Sequence, residues 1–223
     1  MKSTTRIFGG IGIAILLGTA TSHGQDFRDN WYVHTDVGPA FIPNANLHFR
    51  ARDNSGDSFR GTGRFQADPG IRGDISFGYN FDDCLAFELE TGVARNPGPR
   101  PADCFYQIPV MLNLIGEVPI SKSWKFYLGA GAGAVISIDQ TEFHDPAFHG
   151  PFKLEDSDAT LGYQVETGFK YTLSRHVELD LGYKFLGVDQ YNYSFRLGNT
   201  FAEHARVNDL YTHSAQLSVT WKF

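Results

Sequence analysis

At 223 residues the chain has room for one sizeable β domain or two small ones, and a single domain is the default. The net charge of −6 argues against nucleic acid as a partner. A content of 24 glycines and 14% aromatic residues suits a tightly packed strand barrel better than a helical domain.

The chain opens with Lys2 and Arg6, continues with the apolar run Ile7 to Ala20 and then places the small residues Thr21, Ser22 and Gly24. That order predicts a secretory signal peptide over residues 1–24, cleaved near Gly24 or Gln25, followed by a barrel domain over residues 25–223. A membrane anchor is the alternative, but the fourteen residues from Ile7 to Ala20 are too few for a helical span, which needs about 20. Cleavage removes Lys2 and Arg6 and leaves the chain more acidic. Beyond Gln25 no apolar run approaches a helical span, so any crossing has to be by strands.

Eight segments then alternate with a period of two, the signature of strands with one apolar and one polar face. They are Trp31–Ile42, Gly70–Phe81, Leu85–Arg95, Phe105–Gly116, Trp124–Ile138, Thr160–Tyr171, His176–Phe185 and Tyr211–Phe223. In the second, Ile71, Ile75, Phe77, Tyr79 and Phe81 oppose Arg72, Asp74, Ser76, Gly78 and Asn80. In the last, His213, Ala215, Leu217, Val219, Trp221 and Phe223 oppose Thr212, Ser214, Gln216, Ser218, Thr220 and Lys222. Each segment reaches or slightly exceeds the roughly 9–11 residues with which a tilted strand crosses a bilayer. The connections alternate in length. Residues 43–69, 96–104, 139–159 and 187–210 are the longer ones, and 82–84, 117–123 and 172–175 are the shorter. Long loops thus fall on one rim and short turns on the other, the layout of an eight-stranded antiparallel up-and-down transmembrane β-barrel.

A soluble lipocalin-like barrel carries the same alternation turned inside out. Three features favour an apolar exterior. Glycines such as Gly78, Gly129, Gly131, Gly168 and Gly182 crowd the polar parity, where a narrow lumen needs space. Trp31, Tyr79, Phe81, Trp124, Phe126 and Tyr171 gather at the short-turn rim, as an aromatic belt at a membrane interface does. The polar parity also carries both signs of charge. Asp36, Asp74, Glu88, Glu90, Glu166, Glu178 and Asp180 face Arg72, Lys125, Lys170, Lys184 and Lys222, a set that can pair inside the barrel as a polar plug.

With these elements in place the chain resembles the outer-membrane protein beta-barrel domain family, the opacity and OmpA-type eight-stranded barrels. The resemblance is carried by Trp31-Tyr32-Val33, the segments Ile108–Asn113 and Tyr127–Gly133, Gly162-Tyr163-Gln164, Leu179–Tyr183 and the ending Trp221-Lys222-Phe223. It implies a bacterial outer-membrane location, contact with outer-membrane lipid and lipopolysaccharide, and no single activity. It also implies that the closing strand, through Val219, Trp221 and Phe223, carries the signal read by the barrel assembly machinery.

Candidate sites are few. Cys84 and Cys104 fall at opposite rims, too far apart for the ~7 Å limit on a disulfide, so two free thiols are expected. His144, Asp145, His149, Glu155, Asp156 and Asp158 are metal-ligand types without a metal-site spacing and read as a solvated acidic loop. Residues 52–57 read as turn chemistry rather than a calcium loop. Arg50, Arg52, Arg60 and Arg64 suit lipopolysaccharide phosphates. His213 and Ser214 are strand neighbours pointing to opposite faces and cannot act as base and nucleophile. No enzyme activity, cofactor or metal is therefore expected. The function read from the sequence is a plugged barrel with a structural or surface-interaction role through its extracellular loops, whose ligand the sequence does not name; a small porin is the alternative.

Overall fold

The computed structural model describes residues 30–53, 58–100, 103–145, 150–197 and 201–223. It contains ten strands and is all-β: β1 Trp31–Phe41, β2 Ala45–Asp53, β3 Ser58–Phe65, β4 Gly70–Asn80, β5 Leu85–Pro97, β6 Cys104–Pro119, β7 Trp124–Asp145, β8 Gly150–Thr172, β9 Val177–Leu197 and β10 Phe201–Lys222. Eight of them, in the order β1-β4-β5-β6-β7-β8-β9-β10, form an antiparallel sheet that closes where β10 returns to β1. Closure removes the sheet edges that an open sheet would leave unpaired in lipid. The expected signal peptide lies outside the described residues.

Within the segment 43–69, expected to be a loop, Ala45–Asp53 and Ser58–Phe65 are instead the paired strands β2 and β3, which continue the barrel wall. The strand β10 pairs with β1 from Lys222, opposite Tyr32, to His213, opposite Phe41. Further along, its same edge pairs with β2, from Asn208 opposite Asn46 to Phe201 opposite Asp53. At the change of partner stands Asp209, with φ at 54°, the left-handed conformation that Asp tolerates better than most residues. The segments expected as long loops over 139–159 and 187–210 are likewise mostly strand. The β7–β8 and β9–β10 ladders run to Asp145 opposite Gly150 and to Phe201 opposite Leu197. Strands of 21 to 23 residues exceed what a bilayer crossing needs, so these hairpins stand beyond the long-loop rim.

Burial follows the alternation. Leu161, Leu181 and Leu217 are 80%, 66% and 62% exposed on the outer wall, whereas the inward Arg72 and Lys184 are fully enclosed. Two apolar clusters also lie inside. Tyr32, Ala86, Ile115 and Tyr127 pack in the short-turn half. Toward the long-loop rim Phe105, Val135, Leu186, Val188, Tyr191 and Leu210 are buried together, with Leu47 and Phe65 of the hairpin against them.

Glycine provides the room for large inward side chains. A Cβ at Gly78 would fall on the Tyr32 ring, and one at Gly182 would fall on the Tyr127 hydroxyl. These two positions accept no larger residue without moving a buried tyrosine.

A candidate functional site inside the barrel

Side chains from every barrel strand project into the lumen and pair there in tiers. In the middle tier Arg72 of β4 donates from Nε to Asp74 Oδ2 at 2.7 Å, and from Nη2 to Glu90 Oε1 at 3.1 Å and Gln164 Oε1 at 2.8 Å. Lys184 of β9 enters from the other side. Its Nζ donates to Glu90 Oε2 at 2.8 Å, Asp36 Oδ2 at 3.0 Å and Asp74 Oδ2 at 3.1 Å, and lies 3.8 Å from Glu166 Oε2. Gln216 donates to Asp36 at 2.8 Å and Asn113 to Glu90 at 3.1 Å. Two groups of three carboxylates result, Asp36, Asp74 and Glu90, and Glu88, Glu90 and Glu166. Lys184 supplies the positive charge in contact with all three members of the first.

Below this tier the Tyr32 hydroxyl donates to Glu88 at 2.7 Å, and His34 Nδ1 lies 2.9 Å from Thr220 Oγ1. At the short-turn end Glu117 accepts from Lys170 at 2.7 Å and from Lys125 at 2.9 Å. Glu178 lies 3.2 Å from Lys125 and 2.7 Å from Lys222, which completes a chain of charges of alternating sign. The Lys170 ammonium also sits 5.0 Å from the centre of the Tyr127 ring. Above the middle tier Thr212 donates to Gln107 at 2.5 Å, and beyond that pair the apolar cluster takes over.

The structure places Asp36, Arg72, Asp74, Glu88, Glu90, Glu166, Lys170, Glu178, Asp180 and Lys184 in the lumen as buried groups. Lys125 and Lys222, with side chains 24% and 23% exposed, sit at its short-turn mouth. Glu117, which bridges two lysines, was missed by ending the fourth segment at Gly116. The inward parity Gln107, Met111, Asn113, Ile115 extends to it without a break. His34, Gln164 and Gln216, whose polar parity was plain but which carry no fixed charge, also belong to the network.

On the outer wall, Trp31 stacks on Phe77 and meets Tyr79 edge-on, both at 4.8 Å, and Tyr79 meets Phe81 at 5.5 Å. Trp124 and Tyr171 are 5.0 Å apart, and Phe126 and Phe169 5.6 Å. Val219, Trp221 and Phe223 are 41%, 55% and 45% exposed on the outside of β10. Cys84 is exposed at the short-turn rim, and Cys104 is buried at the opposite end of the barrel wall; both are free thiols. His213 lies outside, 2.5 Å from the Tyr183 hydroxyl, whereas Ser214 points inward to the Lys184 carbonyl. The residues 146–149 of the acidic segment and 54–57 of the turn lie outside the described residues. Asp158, read as part of a solvated loop, accepts the Asn192 backbone N–H at 2.8 Å.

A closed antiparallel barrel with an oily exterior, an ionic interior, short turns on one rim and long hairpins on the other is a transmembrane β-barrel. The chain belongs to the family described as outer membrane protein beta-barrel domain, whose model matches residues 11–223, and it resides in the bacterial outer membrane. Among solved structures it is similar to the outer membrane protein OprG from Pseudomonas aeruginosa, with a TM-score of 0.57 at 15% identity over 88% of this chain and 98% of that one. Neisserial surface protein A gives a TM-score of 0.52 at 20% identity over 86% and 97%. The outer membrane protease OmpT from Escherichia coli gives 0.50 at 10% identity over 88% and 98%. At these identities the likeness concerns the fold. No curated protein matches the sequence.

Proposed function

We propose that this protein is a filled barrel whose work is done at its outer end. The lumen acts as a polar plug, and the β2–β3 hairpin with the β7–β8 and β9–β10 extensions forms a surface at the outer leaflet and beyond it for structural or surface-interaction purposes. The observation that carries this reading is the tiered packing. Lys184 alone reaches four carboxylates from β1, β4, β5 and β8, and an apolar cluster sits over that tier. An eight-stranded barrel is only wide enough for its own side chains, so such a column leaves no aqueous bore. The aromatic rims contact lipid, and the exposed Val219, Trp221 and Phe223 face is offered to the assembly machinery.

A small porin is the second reading. It is favoured by the imbalance of the lumen, where eight carboxylates, those of Asp36, Asp74, Glu88, Glu90, Glu117, Glu166, Glu178 and Asp180, face five basic side chains, an excess that would select cations. Conductance of the purified protein in a planar bilayer decides between them. A silent bilayer is expected, and discrete cation-selective openings would replace the plug with the porin.

A further inference from the structure

The β2–β3 hairpin is amphipathic across its sheet. Ala45, Leu47 and Phe65 are turned to the apolar cluster over the lumen, while Asn46, His48, Arg50, Arg60, Thr62 and Arg64 are exposed on the opposite face. Arg206 of β10 extends that face, because it stands opposite His48 in the ladder and is also exposed. Arg50 and Arg60 are directly opposite each other, and Arg64 is opposite Asn46. The outward positions of the two hairpin strands from Asn46 to Arg50 and from Ser58 to Arg64 include no Asp or Glu. Like charges paired across a ladder repel one another and destabilise the hairpin. Here they are gathered on one face with neutral neighbours, which is the arrangement that an anion lying between them would stabilise. Guanidinium forks match the oxygens of a phosphate two at a time.

The position of the face indicates which phosphates. On β10 the outer aromatic group is marked by Tyr211 and His213, packed on Phe185 at 5.4 and 5.3 Å. Arg206 lies five positions before Tyr211 on the same strand, roughly 17 Å away at ~3.3 Å per residue and less in height because the strand is tilted. The face points away from the lumen, since its reverse covers the apolar cluster. A sideways basic face just beyond the aromatic rim looks into the headgroup layer of the outer leaflet.

We infer that the outward face of the β10–β2–β3 sheet, through Arg50, Arg60, Arg64 and Arg206, binds the phosphates of phosphorylated glycolipid headgroups in the outer leaflet. This rests on the proposed reading of the outer end as an interaction surface. The test uses the mature full-length protein in nonionic detergent micelles, titrated with bis-phosphorylated lipid A and with the same lipid stripped of phosphate, at low and high salt. The wild type should prefer the phosphorylated lipid, and high salt should weaken that preference. An R50Q/R60Q/R64Q variant should lose about tenfold or more in affinity for it, equivalent to one or more charge-assisted contacts. K122Q, on the short-turn rim, should bind as the wild type does. Heat-modifiable gel mobility establishes that each variant is a closed barrel.

Equal binding of the two lipids, an intact triple variant that binds as the wild type does, or a soluble sulfated oligosaccharide that binds as tightly as lipid A would each overturn the assignment. None of these results depends on conductance, so failure here is separable from failure of the plug.

Discussion

Lys184 Nζ lies 2.8 Å from Glu90 Oε2 and joins β9 to β5 across the lumen, two strands that are not neighbours in the sheet. Both side chains are enclosed, so each depends on the other for the compensation that water would otherwise give. Replacing Lys184 by Met leaves Asp74 and Glu90 with the Arg72 guanidinium, and leaves Asp36 with the Gln216 amide at 2.8 Å and the His34 ring nitrogen at 3.6 Å. The K184M barrel should be about 3–5 kcal/mol less stable, because breaking a buried pair strands the charge left behind. Guanidinium unfolding in lipid vesicles, followed by gel mobility, measures this. The double variant E90Q/K184M should recover part of the loss, and additive single effects would show that the two residues are not coupled.

Gly182 is predicted to be intolerant for a reason of shape rather than charge. Its Cβ would enter the Tyr127 hydroxyl, and Tyr127 is itself held under the Lys170 ammonium. Gly182→Val should lower stability by about 1–3 kcal/mol through overpacking. Adding Tyr127→Phe removes the struck oxygen and should restore part of it, as read by the same unfolding assay.

Much of the architecture was legible because alternation reports which face a residue takes. It placed Arg72, Asp74, Glu90 and Lys184 on the inner face before any pairing was known. Alternation says nothing about which strand lies alongside, and there the reading fell short. Residues 46–52 alternate as plainly as any segment, yet they fall within 43–69, which was read as one long connection. That they are a strand depends on pairing with residues about 150 positions later, a non-local fact. The apolar cluster was also hidden, since Leu186 lies just past the end assigned to the seventh strand, and Val188 and Leu210 fall within 187–210, which was read as a loop. Glu117 was lost to a boundary placed one residue short.

The two cysteines give a test of orientation. Cys84 is exposed at the short-turn rim and Cys104 is buried beside β5, where its sulfur lies 3.1 Å from an Arg95 nitrogen. A maleimide on a large polymer cannot cross the outer membrane. It should leave both thiols unmodified in intact cells, modify Cys84 once the membrane is permeabilised, and modify Cys104 only after unfolding. Labelling of Cys84 from outside intact cells would invert the barrel.

Asp209 is where β10 exchanges β1 for β2, and its φ of 54° is the one positive value at a non-glycine among the described residues. Side chains on β10 register the turn: Leu210 and Thr212 are buried on one side of it, and Val207 on the other, so the inward parity shifts there. The β9 ladder is continuous on either side, with Asn208 opposite Gln190 and Leu210 opposite Val188, so the ribbon rotates without gaining a residue. Gly at position 209 accepts that conformation freely, whereas a β-branched side chain is penalised by roughly 1–2 kcal/mol. Asp209→Gly should therefore keep wild-type stability within a few tenths of a kcal/mol, and Asp209→Val should loosen the hairpin from β10 while leaving the membrane-embedded ladder closed. Hydrogen exchange separates the two regions. The expected result for D209V is faster exchange at residues 46–50 and 203–208 with unchanged protection at 213–221, and equal protection of both regions in wild type and D209V would remove Asp209 as the pivot.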